Sequence, residues 1–207
     1  MPIYSEITKD EDSVVIWHIT EDVNELLRLI NLSSEDAELL DAFKLDKRKK
    51  EWLASRILLQ GLLKHYPEIE YSKNGKPYLR NSESCISISH TNNFAAVSLS
   101  KEPTALDIEV CAQRVDKVAN RFVHPDEEKY IDVEKRLSYL TVLWSAKETL
   151  YKYFDVFGVS FKEQFLIHPF VIDKKGMFNC EFKHQNVTQK LTLHYEVNNH
   201  YTLVYNL

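Results

Sequence analysis

The chain has 207 residues, 44% of them apolar and 12% aromatic, which is ample for a packed core in one domain or two small ones and excludes a disordered chain. Its formal net charge of -5 argues against broad binding to duplex nucleic acid, which leaves a strongly basic signature, so an anionic ligand has to be met by a local patch. Cys85, Cys111 and Cys180 are widely spaced without a CxxC pair, no apolar run approaches the roughly 18 residues of a membrane span, and the first residues lack the core of a signal peptide. A reduced, cytoplasmic protein is expected, without disulfide framework or zinc knuckle and without a nucleic-acid or membrane partner.

Residues 13–19 (SVVIWHI) predict a first strand. One long helix is predicted over 33–66, capped by Ser33 or Ser34 with Glu35 and Asp36 in its first turn, and presenting Leu53, Ile57, Leu58 and Leu62 to a core. YSKNGKPYL (71–79) is turn chemistry, with Asn74-Gly75 as a tight-turn pair and Pro77 barred from a central strand. CISISH and FAAVSLS predict strands joined by a short TNN turn, and TALDIEV a third. A second long helix is predicted over 115–157, closed near Gly158. Strands follow at about 166–173, 178–183 and 189–206, the last broken at Asn198-Asn199.

Each half thus runs from a long helix through a turn with Lys and Gly into a hairpin. SKNGKPYL is echoed by DKKGMFN, and SHTNNFAAVSL by EVNNHYTLVYN. Duplication and chance similarity of turns both account for these echoes, and the sequence alone does not choose between them. Under duplication the fold class is α+β: a pseudo-dimer of two similar halves, 1–103 and 104–207, each a helix packed on a small antiparallel sheet, with the cleft between them.

The strand TALDIEV raises a chemical question. Leu106, Ile108 and Val110 line one face, so Asp107 and Glu109 share the other. Two like charges side by side raise each other's pKa unless a cation sits between them. Downstream, LTVLWSAKETLYKYF (140–154) places Leu140, Leu143, Trp144, Leu150, Tyr151 and Phe154 on an apolar side and Ser145, Glu148 and Lys152 on a polar stripe. On an arbitrary helix a Glu148–Lys152 pair is only a surface contact of roughly 0.3–0.5 kcal/mol, and a lone Asp-x-Glu is most often a salt-bridged strand edge. Together, three acids make an oxygen ligand set that suits Mg²⁺, which also binds phosphate oxygens.

The positive charge is local. Lys44, Lys47, Arg48, Lys49 and Lys50 read as a solvated helix face, whereas Arg56, among apolar neighbours, calls for a fixed anionic partner. Lys76 and His90 are further candidates, although a lone strand histidine is more often simply hydrogen-bonded. Ser89 lacks the GxSxG context of a hydrolase nucleophile. With four glycines and neither GxxxxGK[ST] nor GxGxxG, the chain must hold phosphate by side chains.

GKP (75–77), ISISHT (86–91), ALDIE (105–109), RFVHPDE (121–127) and WSAKETLYK (144–152) resemble, in order and approximate spacing, the motifs of the Sfp-type 4'-phosphopantetheinyl transferases. The resemblance implies transfer of the phosphopantetheine arm of coenzyme A to a serine of an apo acyl, peptidyl or polyketide carrier protein, releasing 3',5'-ADP. It also implies the pseudo-dimer, and a monomer is expected. By this likeness Asp107, Glu109 and Glu148 are Mg²⁺ ligands, and Lys152 steadies the phosphate under attack. Lys76 and Pro77 wall the adenine, Ser89 donates to a phosphate, and His90 and Arg56 meet the 3'-phosphate. Glu148 has a second implied duty, as the base for the carrier serine, directly or through a metal-bound water. The run at 44–50 matches the family's first basic motif loosely, with Arg48 as its expected coenzyme contact, and Glu127 matches the acid of the RF...E motif. Ala105 replaces the usual Gly, and SHT the commoner SHS. The rival readings are a non-catalytic coenzyme A or nucleotide binding module and, more distantly, a basic-patch RNA binder.

Overall fold

In the computed structural model, which describes residues 3–207, the first predicted strand is β2 (Asp12–His18). It pairs with β1 (Ile3–Lys9), a largely exposed, polar edge strand that lacks the apolar run of its neighbour and so gives little signal in the sequence. The two join β6 (Phe94–Ser100) and β5 (Cys85–Thr91) in an antiparallel sheet of order β1-β2-β6-β5. Four consecutive buried residues in β2, Val14 to Trp17, show that this sheet is covered on both faces. Val15 and Trp17 enter a core beneath a long helix, and Val14 and Ile16 enter a second apolar cluster on the other side.

The helix predicted over 33–66 is two helices, preceded by a short one, α1 (Val23–Leu27). The Ser33 hydroxyl accepts from the amide of Asp36 (3.1 Å) and starts α2 (Ser34–Ala42); the chain then extends at Phe43 and Leu45 before α3 (Asp46–Leu63). The break turns Phe43 onto the core, edge to face with Trp52. As expected, α3 buries Leu53, Ile57 and Leu58, while Leu62 is half-buried. The tight turn at Asn74-Gly75 joins the two-stranded ribbon β3 (Ile69–Tyr71) and β4 (Pro77–Leu79), with Gly75 at φ +88° and its amide bonded to the Ser72 carbonyl.

The second sheet runs β7 (Ala105–Glu109), β11 (Thr202–Asn206), β10 (Val187–Val197), β9 (Lys175–His184), β8 (Phe165–Ile167). The helix predicted over 115–157 is likewise interrupted. It comprises α4 (Arg114–Lys117), a 3₁₀ turn (Ala119–Arg121), α5 (Pro125–Glu128) and the long α6 (Arg136–Phe154). Pro125 has no amide hydrogen and opens a helix rather than continuing one, with the His124 imidazole as its cap. α6 ends at Asp155 in the left-handed conformation (φ +49°), so Gly158 lies in the following loop. A last short helix, α7 (Phe161–Gln164), precedes β8, which stops before His168-Pro169, so the strand predicted to reach residue 173 is only three residues long.

Three apolar clusters hold these layers. One lies between α3 and the first sheet, and one between α6 and the second. The third packs Val14, Ile16, Phe94 and Ala96 of the first sheet against Leu106, Ile108, Leu203 and Tyr205 of the second. At this seam the hydroxyls of Ser87 and Ser89 on β5 accept from the amides of Leu106 (3.1 Å) and Ile108 (3.3 Å) on β7. No helix among the described residues is long and apolar enough to cross a membrane, and the three cysteines are free thiols.

Behind α6 lies an ion pair with both side chains at 0% exposure, Lys147 with Glu127 (2.7 Å). The Lys147 ammonium also donates to the carbonyls of Phe122 (2.6 Å) and Phe161 (3.1 Å). Glu127 accepts from the amides of His124 (2.8 Å) and Ile167 (2.9 Å). Breaking such a pair leaves an uncompensated buried charge. Lys147→Met is expected to destabilise by about 3–5 kcal/mol, a fall in Tm of roughly 10 °C or more, with Glu127→Leu/Lys147→Met recovering part of the loss; thermal unfolding of the three proteins checks this.

Candidate active site

The β3–β4 hairpin is tied to the carbonyl end of α6. Lys76 Nζ donates to the Tyr153 carbonyl (3.0 Å), Asn74 Nδ2 to the Asp155 carbonyl (2.8 Å), and Ser72 Oγ to the Asp155 carboxylate (3.3 Å). A cation here complements the negative end of the helix dipole. Between hairpin, β5 and α6 lies a cavity of about 210 Å³ lined by Lys76, Pro77, Ser87, Ile88, Glu148 and Lys152. A second, of about 140 Å³, shares Pro77 and Ile88 and adds Arg48, Glu51, Arg56 and His90 from α3 and β5.

The inner wall of the cleft is built on β7. With Leu106 and Ile108 anchored in the seam, Asp107 and Glu109 point toward α6. Lys152 Nζ, reaching from α6, donates to Asp107 Oδ1 (2.8 Å), Ser89 Oγ (3.0 Å) and the Leu106 carbonyl (3.0 Å). Ser89 donates in turn to Asp107 Oδ1 (2.9 Å). Asp107 Oδ2 is buried without a protein partner. Glu109 accepts from Thr91 Oγ1 (3.3 Å) and from the Arg114 guanidinium (3.2 Å).

The third carboxylate, Glu148, lies on the same side of α6 as Lys152. Burial, and then the Asp107 charge, push its pKa up to about 7 against the pull of Lys152. Burial and then Asp107 also raise Glu109 above the usual carboxylate range. Among the described residues no group of three His, Cys, Asp or Glu side chains is drawn close enough to hold a metal as it stands. The donor chemistry nevertheless fits a hard divalent cation: the donors are all oxygen, one carboxylate oxygen lacks a partner, and burial and the Asp107 charge hold Glu109 and Glu148 above the usual carboxylate range.

On the outer side, Arg48 Nη1 meets His90 Nε2 (2.5 Å), and His90 Nδ1 lies 3.3 Å from Glu51. Burial pulls the His90 imidazole below its ordinary value, more than Glu51 restores it. Of the run at 44–50, Arg48 is the member that lines the outer cavity. Arg56 is 1% exposed; its guanidinium lies 3.4 Å over the Trp52 ring and its Nε donates to Asp36 (3.2 Å), so the anionic partner its setting calls for is supplied by the protein. Ser145, predicted on the polar stripe, is fully buried instead. Glu127 faces Lys147 behind α6, away from the other acids. Sequence reasoning passed over Glu51, Thr91, Arg114 and Lys147. The i, i+3 spacing of Arg48 and Glu51 was a usable signal for the first; Arg114 meets Glu109 across the turn that follows β7, and Thr91 and Lys147 meet their partners only through the tertiary fold.

Residues 103–203 match the 4'-phosphopantetheinyl transferase superfamily. The match contains Asp107, Glu109, Glu148 and Lys152, and supports that enzyme class; Arg48, Arg56, Lys76, Pro77, Ser89 and His90 lie before it. Over 112 residues the chain is 30% identical to the 4'-phosphopantetheinyl transferase AcpT of Salmonella typhi and to that of Salmonella typhimurium (strain LT2). The alignment covers 51% of this chain and 58% of each relative, so the chain spans little more than half the length of these curated relatives.

The raised Glu148 pKa has a sign that can be tested by thermal unfolding. Below about pH 4.5 the carboxyl is neutral in folded and unfolded chains alike, and its burial carries no charge penalty. As pH rises toward 7 the unfolded chain releases the proton first, so stability falls, and the penalty is complete above about pH 7. Glu148→Gln is therefore expected to raise the Tm of the metal-free protein by a few degrees at pH 8 and by almost nothing at pH 4.5, as read by thermal unfolding across that range.

Proposed function

We propose that this protein is an Sfp-type 4'-phosphopantetheinyl transferase that moves the phosphopantetheine arm of coenzyme A onto a serine of an apo carrier protein with Mg²⁺, releasing 3',5'-ADP. In this reading residues 1–103 and 104–207 are the two halves of a pseudo-dimer, and a single chain is the working unit. The observation that carries the reading is the Lys152 ammonium held between Ser89 of β5 and Asp107 of β7, at the edge of a cavity that also contains Lys76, Pro77 and Glu148.

Asp107, Glu109 and Glu148 would hold the cation, which when bound supplies Lewis-acid polarisation of the pyrophosphate. The hairpin wall at Lys76 and Pro77 packs against the adenine. Arg48 and His90 face the 3'-phosphate, with Arg56 behind them as a charge already balanced by Asp36. Ser89, on the cleft floor, gives its one hydroxyl hydrogen to Asp107 in the unliganded chain and would redirect it to the phosphate. The carrier serine oxygen attacks the phosphorus that bears the pantetheine, and the bond from that phosphorus to the oxygen of the departing 3',5'-ADP breaks. Lys152 lies where negative charge grows on the phosphoryl oxygens, and a fixed ammonium there lowers the barrier without reorganising. Glu148 is half-buried beside Lys152, its pKa in the metal-free chain pushed up to about 7 by burial and the Asp107 charge, and it is the acid assigned to accept the serine proton.

With coenzyme A, Mg²⁺ and a panel of apo acyl, peptidyl and polyketide carriers, the mass of at least one carrier should rise by a single phosphopantetheine. Binding of coenzyme A without modification of any carrier would instead identify a binding module. Glu148→Gln and Lys152→Met should each lower the transfer rate on the order of 10²-fold or more while the protein stays folded; full activity in either would refute its assigned role.

A further inference from the structure

Four buried side-chain polar atoms among the described residues lack a protein hydrogen-bond partner: Trp17 Nε1, Asp107 Oδ2, Ser145 Oγ and Thr202 Oγ1. Native interiors leave few such atoms unpaired, because each gives up its hydration with nothing in exchange. Trp17 belongs to the core beneath α3. The other three fall together at one interface, where α6 lies on β7 and β11.

Their placement follows from the register. Thr202 is the cross-strand partner of Glu109, and Val204 that of Asp107. Thr149 Oγ1 on α6 donates to the Val204 carbonyl (3.2 Å), which fixes the helix over the strand at that point. Ser145 lies four residues before Thr149, an axial step of about 6 Å. Thr202 is two strand residues before Val204, a step of roughly 6.6 Å. The two steps run the same way, because Trp144, beside Ser145, lines one cavity with Glu109, the partner of Thr202, while Lys152 at the other end of the helix reaches the Leu106 carbonyl. The register thus assigns the hydroxyls of Ser145 and Thr202, both at 0% exposure, to the same part of the interface beneath Glu109, two residue pairs along from Asp107 with its unpaired oxygen.

We propose that Ser145 and Thr202 are positioning residues, a buried hydroxyl pair that, through one enclosed water, holds the Asp107 and Glu109 carboxylates in the orientation that receives the cation. The inference rests on the transferase reading of the same acids. A water in a polar, enclosed site with about three partners is a normal structural element, and two hydroxyls and a carboxylate oxygen supply three. Apolar packing does not explain the pair, since Ala at 145 and Val at 202 would fill the same volume without hydroxyls to satisfy. Partners behind metal ligands set affinity as well as direction: their loss typically weakens binding 10- to 100-fold.

The test uses Mn²⁺ as probe, titrated into the full chain with excess coenzyme A and followed by the spin-resonance signal of free Mn²⁺. Ser145→Ala and Thr202→Val are expected to weaken Mn²⁺ binding on the order of 10-fold, and Thr202→Ser to restore it to near the wild-type value. The metal-free Tm of Ser145→Ala and Thr202→Val should stay within a few degrees of wild type, since each loses a single water-mediated hydrogen bond, and Thr202→Ser, which keeps its hydroxyl, should match wild type. A high-resolution crystal structure of the wild-type chain should show one water within hydrogen-bond distance of Ser145 Oγ, Thr202 Oγ1 and a β7 carboxylate. Unchanged Mn²⁺ affinity in the variants overturns the proposal while leaving the transferase reading intact, as does the lack of that water. Losses of affinity that simply track losses of Tm assign the hydroxyls to packing and overturn it as well. A wild-type chain that binds no Mn²⁺ with coenzyme A removes the transferase reading and this inference together.

Discussion

The site depends on one ammonium group. Lys152 leaves α6, crosses the seam between the sheets and places its three donors on Ser89, Asp107 and a β7 carbonyl. Those contacts draw together the long helix α6, the edge strand β5 of the first sheet and the acidic edge strand β7 of the second. A carboxylate as buried as Asp107 needs a compensating charge, and Lys152 is the nearest one. The cation that the three acids invite would therefore enter a site whose positive charge is already partly in place, and whose remaining imbalance shows in Glu109 and Glu148, both held above the usual carboxylate range.

The seam is economical because each strand face has one task. In β7 the alternate residues Leu106 and Ile108 pack into the cluster between the sheets, and the register leaves Asp107 and Glu109 no other direction than α6. In β5 the hydroxyls of Ser87 and Ser89 substitute for backbone carbonyls in satisfying the amides of β7. Ser89 thus belongs at once to the scaffold and to the lining of the cleft, and its hydroxyl is saturated by one donated and two accepted bonds.

Local pattern made much of this legible. The strand alternation of ALDIE, the tight turn at Asn74-Gly75 and the Glu148–Lys152 spacing each express a rule of one element, and each element formed where its rule applied. The two long predicted helices failed for a common reason: periodicity reports continuous apolar supply, and it does not register that Phe43 has a better place against Trp52 or that Pro125 restarts the chain. Arg56 was readable as needing an anion, but its partner Asp36 lies twenty residues earlier, on a helix whose separation from α3 the pattern concealed. Thr91 and Lys147 carry no local signature at all, because their partners lie 18 and 20 residues away and arrive only with the tertiary fold, whereas Arg114 reaches Glu109 across an irregular turn that has no periodicity to read.

The buried pair behind α6 bears on the front of that helix. Lys147 is grasped by oxygens from three separate segments, at Phe122, Glu127 and Phe161, and its neighbour along the chain is Glu148. Successive residues of an α-helix differ in bearing by about 100°, so a helix prevented from turning at residue 147 has its heading at residue 148 set as well. The pair works as an index pin: a side chain that never meets solvent fixes the angular phase of the cylinder and, with it, the direction in which the acid on the opposite flank is aimed.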